Sequence, residues 1–154
     1  MEDRFFPVFV PPEGKKVLVI GGGSIADRRI RTLMKFDFTV VCVSPSAVSE
    51  ILELAEQGKL TYISDSYDKK YLKDCYMVLA CTDSRQVNRQ AGIDAKERNL
   101  LISVCDCREE CNFYFPAIAA GEEVTAGIVG SGRDHHATKR AAAAVRKVIE
   151  GKAY

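Results

Sequence analysis

The chain has 154 residues, 47% of them hydrophobic and 28% charged, with a formal net charge of +1. That is enough for one core-forming domain with a small addition. The near-neutral balance gives no global electrostatic case for nucleic acid or an anionic membrane, and no apolar run is long enough to span a bilayer.

The first fourteen residues, MEDRFFPVFVPPEG, lack a basic segment followed by an apolar one, so they do not read as a secretion signal. A cytoplasmic location is expected. In that setting the six cysteines read as reduced thiols, with Cys42 and Cys81 as small buried side chains in apolar runs.

KVLVI (16–20) is a short apolar, β-branched strand. GGGSIA follows at once, and then a helical pattern in which Ile25, Ala26, Ile30, Leu33 and Met34 share one face. FTVVCV (38–43) reads as a second strand ending at Ser44-Pro45. AVSEILELAEQGK has helical spacing and a stop at Gly58. LTYIS (60–64) is a third strand and DKKYLK a short helix. YMVLAC (76–81) is continuously apolar, as in a strand buried on both faces. A helix over 84–99 with Ser84 as cap and a fifth strand at 100–105 complete the series. Alternation of this kind predicts βαβ units and a doubly wound parallel sheet, with ligands beyond the carboxyl ends of the strands.

After residue 111 the rhythm changes. NFYFPAIAAGEEVTAGIVG reads as two strands around a Gly121-Glu122 turn, and a helix capped by Asp134 closes the chain. The division expected is 1–111 for the sheet domain and 112–154 for the remainder. The later strands need a partner surface, and a second copy of the chain is the simplest source.

The glycines carry the first chemical signal. Gly21, Gly23 and Ala26 form G-x-G-x-x-A between a strand and a helix. Gly21 permits the tight turn, Gly23 the approach of a pyrophosphate, and Ala26 close helix–sheet packing. The free amides of the first helical turn suit phosphates. Candidate cofactor contacts are Gly21, Gly22, Gly23, Ser24 and Ile25, then Ser44, Pro45 and Ser46 after the second strand, and Thr82 after the fourth. The acidic ribose-binding residue common after the second strand is replaced by Val43-Ser44-Pro45, so the residues alone do not choose between NAD and NADP. Thr82-Asp83-Ser84 reads either as a cofactor-facing end or as a helix cap.

GGGSIADRR, the SP after the second strand, ACTDSRQVN and ISVCDCREECNFYFPA occur in an order and spacing that resembles the precorrin-2 dehydrogenase family, the dehydrogenase and ferrochelatase part of siroheme synthases. The likeness covers about residues 5–150, and D-x-x-x-x-C-x-F-x-x-P-A from Asp106 to Ala117 is its most specific part. It implies a Rossmann-like α/β sheet followed by a small strand-and-helix dimerisation region. It also implies NAD-dependent oxidation of precorrin-2 to sirohydrochlorin, iron insertion with Fe2+ as substrate in some members, and a homodimer. Asp106 matches the family's aspartate after the fifth strand and is the expected catalytic group. Partly buried beside an apolar ring system, its carboxyl would have a raised pKa and accept a proton.

The tetrapyrrole substrate carries eight carboxylates and needs cations. Arg28, Arg29, Ser131, Arg133, His135 and Lys139 are the candidate contacts, with His136 and Arg140 nearby. Each alternatively belongs to a solvated basic face. No metal ligand set is expected from His135-His136, because adjacent helical residues point about 100° apart. The sequence departs from the pattern at Ser103, where the family has Asn, and in GSGRDHH (130–136), which lacks the family's Ser-Pro step. Family members continue into a longer helical region beyond the position of Tyr154.

A nucleotide-sensing module of the potassium-transport type is the competing class. It shares the glycine loop and a T-D-x-x-x-x-N segment, but it usually keeps the ribose-binding acid and lacks the C-x-F-x-x-P-A strand. VCDCREEC (104–111) does not resemble a zinc clip, which usually offers four ligands. Cys105 and Cys107 are expected on one side of an extended strand, opposite Asp106. Cys111 matches the family pattern, whereas Cys105 and Cys107 do not.

Overall fold

A computed structural model describes residues 5–132 and 134–151. Arg133, one of the candidate substrate contacts, lies outside the described residues. The chain divides into two compact units. One is Pro11–Phe113. The other joins the residues before Pro11 to those from Tyr114 onward.

The first unit is a five-stranded parallel sheet with strand order β3-β2-β1-β4-β5. Its strands are β1 (Lys16–Ile20), β2 (Thr39–Val43), β3 (Thr61–Ile63), β4 (Cys75–Ala80) and β5 (Leu101–Val104). Helices α1 (Ser24–Leu33), α2 (Ser49–Glu56) and α3 (Arg85–Glu97) provide the crossovers, with a 3₁₀ turn at Lys69–Leu72 before β4. The central strands are apolar throughout because helices cover both faces. Val17, Leu18 and Val19 of β1 and Val78, Leu79 and Ala80 of β4 are fully buried. α1 lays Ala26, Ile30 and Leu33 on the sheet, an i, i+4, i+7 stripe. Its expected partner Ile25 is instead 42% exposed, because it lies about 100° around the helix from Ala26, off the buried stripe. Chain order reverses direction between β1 and β4, and at such a switch point loops diverge and leave a crevice.

β5 is shorter than expected. It ends at Val104, and Cys105 and Asp106 form a turn in which the Cys107 amide donates to the Val104 carbonyl at 3.4 Å. The alternation that placed both thiols opposite Asp106 therefore does not apply.

The second unit contains an antiparallel pair, β6 (Ala117–Ala120) and β7 (Thr125–Ile128), and helix α4 (His135–Ile149). The turn between the strands is closed by the Gly121 amide on the Val124 carbonyl at 2.9 Å. Asp134 caps α4 by accepting from the Ala137 amide at 2.9 Å, as its position in the sequence predicts. Arg146 of α4 donates through Nε to the Ile118 carbonyl at 3.1 Å, and the rings of Phe5 and Tyr114 pack 4.3 Å apart. Ala142 is the buried residue of α4, so most of this helix faces outward. Among the described residues no helix is long and apolar enough to cross a membrane.

Candidate functional site

Three glycines follow β1, and the structure gives them three different surroundings. Gly21 has φ +114, a region that disfavours side chains, and a Cβ there would lie 2.5 Å from the Cys81 carbonyl oxygen. Gly22 is closed off by the next loop: a Cβ would lie 2.2 Å from the Ser46 carbonyl oxygen. Around Gly23, by contrast, an added Cβ would meet nothing within 4 Å. The first two glycines let backbone pack on backbone. The third keeps an open approach to the helix start.

That start is unfinished in chemical terms. Gly23 is the N-cap of α1, and no side chain accepts from its first-turn amides. Ser24 and Ile25 are exposed there. An uncapped helix of ten residues, reached over bare backbone, has the donor set and partial positive charge that a pyrophosphate requires. A dinucleotide thus fits the residues present. Below the loop, Cys42 donates its thiol to the Gly21 carbonyl at 3.3 Å, and burial pushes that thiol up to about 12. It is a neutral prop for the turn.

The loop after β2 borders this opening. The Val48 amide donates to the Gly22 carbonyl at 2.8 Å. Ser44 is buried, with its carbonyl accepting from the Tyr62 hydroxyl at 2.8 Å, whereas Pro45 and Ser46 are exposed.

On the other side of the switch point the ends of β4 and β5 are tied together by one buried side chain. Asn88 of α3 has no exposure. Its Oδ1 accepts from the Thr82 amide at 3.0 Å and lies 2.7 Å from the Thr82 hydroxyl. Its Nδ2 donates to the Thr82 carbonyl and to Asp106 Oδ2, each at 2.9 Å. The Thr82 backbone thereby fixes the orientation of the amide. Thr82 turns its hydroxyl toward Asn88 and Ser84, and Ser84 Oγ caps α3 through the Val87 amide at 3.4 Å.

Asp106 is 34% exposed and, in place of apolar surroundings, has an ion pair. Arg85 Nη1 donates to Asp106 Oδ1 at 2.6 Å, and Arg85 Nη2 pairs with Glu110. The bond to Glu110, then the nearby Asp106 charge, hold the guanidinium above its ordinary pKa. One oxygen of Asp106 is thus fixed from within the unit by Asn88. The other is held by an exposed cation.

Of the expected substrate contacts, Arg29 reaches this edge: its Nη1 donates to Ser103 Oγ on β5 at 3.0 Å. Arg28 is exposed, its carbonyl accepting from Thr32. Ser131, His135 and Lys139 belong to the second unit, where His135 and Lys139 lie one turn apart on the exposed start of α4. Arg85, Asn88 and Glu110 are participants that sequence reasoning did not assign. Asn88 had a signal, a polar residue at a buried helical position between Val87 and Ala91. The Arg85–Asp106 pair, 21 residues apart, had none.

A parallel sheet in this order, with a glycine loop and an open helix start at its switch point, defines a Rossmann-like α/β protein. The chain belongs to an NAD(P)-binding family: the family model described as "Putative NAD(P)-binding" matches residues 8–117. It is also similar to longer proteins. It is 39% identical over 93% of its length to a Ruminiclostridium josui protein described as "Probable multifunctional siroheme biosynthesis protein HemA". It is 33% identical over 84% of its length to the siroheme synthase of Pseudoalteromonas translucida. The chain spans 28% and 27% of those two relatives. A solved structure described as "SirC, precorrin-2 dehydrogenase" superimposes with a TM-score of 0.79 at 23% identity, over 94% of this chain and 71% of that one, and so shares its fold.

Proposed function

We propose that the chain is an NAD-dependent precorrin-2 dehydrogenase of siroheme biosynthesis. The observation that carries this reading is the presence, at one edge of the sheet, of the open Gly23 approach and of an aspartate fixed by a buried amide. The siroheme names of the relatives supply the substrate class.

The amides at Ser24 and Ile25 would hold the pyrophosphate and Ser46 a ribose hydroxyl. Bound NAD supplies the hydride acceptor. Loss of hydride from precorrin-2 requires loss of a proton, and Asp106 takes it. Arg85 leaves Asp106 for a substrate carboxylate, which frees Oδ1 as base while Asn88 keeps Oδ2 in place. Arg28 and Arg29 hold further substrate carboxylates. The same base serves iron insertion by accepting pyrrole N–H protons, with ferrous iron as substrate. The working form is a cytoplasmic homodimer, a reading supported by a two-strand sheet and a mostly outward-facing α4 that bury little on their own.

The test is incubation with precorrin-2 and NAD, following NADH and sirohydrochlorin absorbance. Turnover is expected, with a drop of about 10²-fold or more in Asp106→Asn. A folded protein that binds NAD without turnover would instead be a nucleotide-sensing module. Ferrous iron added to the sirohydrochlorin product tests chelation separately.

A further inference from the structure

The ends of β4 and β5 also bring two thiols together. Ala80 pairs with Val104 in the parallel ladder, so the next residues along are Cys81 and Cys105, and the Cys105 amide continues the ladder to the Ala80 carbonyl at 3.0 Å. Adjacent strands are about 4.8 Å apart, inside the span of about 4.4–6.8 Å between Cα atoms that a disulfide bridges. The two side chains thus follow a paired position on adjacent parallel strands and lie close enough for each thiol to shift the titration of the other. Cys81 is 5% exposed and Cys105 is half-buried, so one sulfur is reachable and the other stands behind it.

The groups around them differ from those at the neighbouring cysteines. Arg29 of α1 faces the pair, with its guanidinium on Ser103. From α3, Asn88 Nδ2 lies 3.9 Å from Cys105 Sγ. Cys42 of β2 stands on the Cys81 side, and Asp106 adjoins Cys105. Cys107, by contrast, donates to the Glu109 carboxylate at 3.5 Å, and Cys111 is bonded to the Val104 and Cys107 carbonyls. The adjacent Cys81 thiol, helped by Arg29, pulls the Cys105 thiol down to about 7 against desolvation and Asp106. The adjacent Cys105 sulfur and burial push the Cys81 thiol up, which keeps it protonated.

We propose that Cys81 and Cys105 are a redox-active pair that hydrogen peroxide converts to a disulfide across the ends of β4 and β5. The Cys105 thiolate attacks one peroxide oxygen, the O–O bond breaks, and hydroxide leaves as water after protonation. The Cys81 sulfur, losing its proton, then attacks the Cys105 sulfenic acid, the S–O bond breaks, and a second water leaves. The dithiol gives up two electrons and two protons, and peroxide is reduced to two waters. The bond would tie Cys81, whose carbonyl backs onto Gly21, to the residue before Asp106. This inference does not depend on the substrate or on NAD.

The full chain is treated with one equivalent of hydrogen peroxide, alkylated, digested and analysed by mass spectrometry. A peptide pair joining Cys81 to Cys105, lighter by two hydrogens, is expected. In Cys81→Ser the reaction should stop at a sulfenic acid on Cys105, trapped by dimedone. Modification of Cys107 or Cys111 ahead of Cys105, or a Cys105 sulfenic acid that persists with Cys81 intact, would overturn the proposal. Iodoacetamide on the unaltered chain is an independent readout. Cys105 should react about tenfold faster than Cys107 at pH 7 and slow as pH falls below 7, because only the thiolate attacks. Equal rates would also overturn it.

Discussion

Helices α1 and α3 leave the same edge of the sheet after neighbouring strands, yet their first turns are completed in opposite ways. α3 is filled by its own chain: Ser84 caps it, Thr82 folds onto it, and Asn88 binds it to the end of β5. α1 has no side-chain cap, and its approach is kept bare by Gly23. A helix start left unsatisfied beside one fully satisfied keeps donors available to an outside anionic group. The comparison also separates two uses of glycine in one loop. Gly21 and Gly22 are needed for backbone packing, whereas Gly23 leaves the helix start open.

Substitutions can break this contrast at either helix. The largest effect is expected for Gly21→Ala, which places a methyl on the Cys81 carbonyl at a positive φ. It should cost about 3 kcal/mol or more, read as a lowered denaturation midpoint or insoluble protein. Asn88→Ala strips partners from the Thr82 amide and carbonyl in a buried site, and about 2–3 kcal/mol of stability should be lost in urea unfolding. Gly23→Ala should unfold like the unaltered chain but bind NAD about tenfold more weakly by calorimetry, about 1.4 kcal/mol. Unchanged affinity would make the open helix start irrelevant to the cofactor. Ser84→Ala should cost about 1 kcal/mol, the worth of an ordinary cap, with NAD binding unaltered. The smallest stability effect is expected for Arg85→Gln, under about 1 kcal/mol for an exposed pair. In the dehydrogenase assay the same change should raise KM for precorrin-2 if Arg85 moves to a substrate carboxylate.

Much of this edge was legible in the residues. Continuous apolar runs separated by helical patterns predict a parallel sheet because burial on both faces removes the alternation of a half-exposed strand. Ser84 and Asp134 were readable as caps because a cap is local, set within three residues. The surroundings of Asp106 were not. Its partners Arg85 and Asn88 arrive from another helix, and no spacing rule relates positions 85, 88 and 106. The same limit applies to the thiols. Cys105 and Cys107 look like neighbours in sequence, but the turn after Val104 sends one toward Arg29 and the other toward Glu109. Ile25 failed for a geometric reason, since it lies about 100° around the helix from Ala26 and the buried stripe is narrower than the apolar pattern.

The seat of the loop after β2 on Gly22 has a practical consequence for redesign. Its backbone is clamped twice, by the Val48 amide on the Gly22 carbonyl and by the packing of Ser46 over Gly22, while the Ser46 side chain stays exposed. Transplanting a longer loop from another protein would pry the glycine turn open. A single change such as Ser46→Arg leaves the clamp untouched, and if Ser46 borders the ribose it should raise affinity for NADP relative to NAD, measured by calorimetry. Backbone alone sets this mount, so the exposed side chain on it can be exchanged without disturbing the turn.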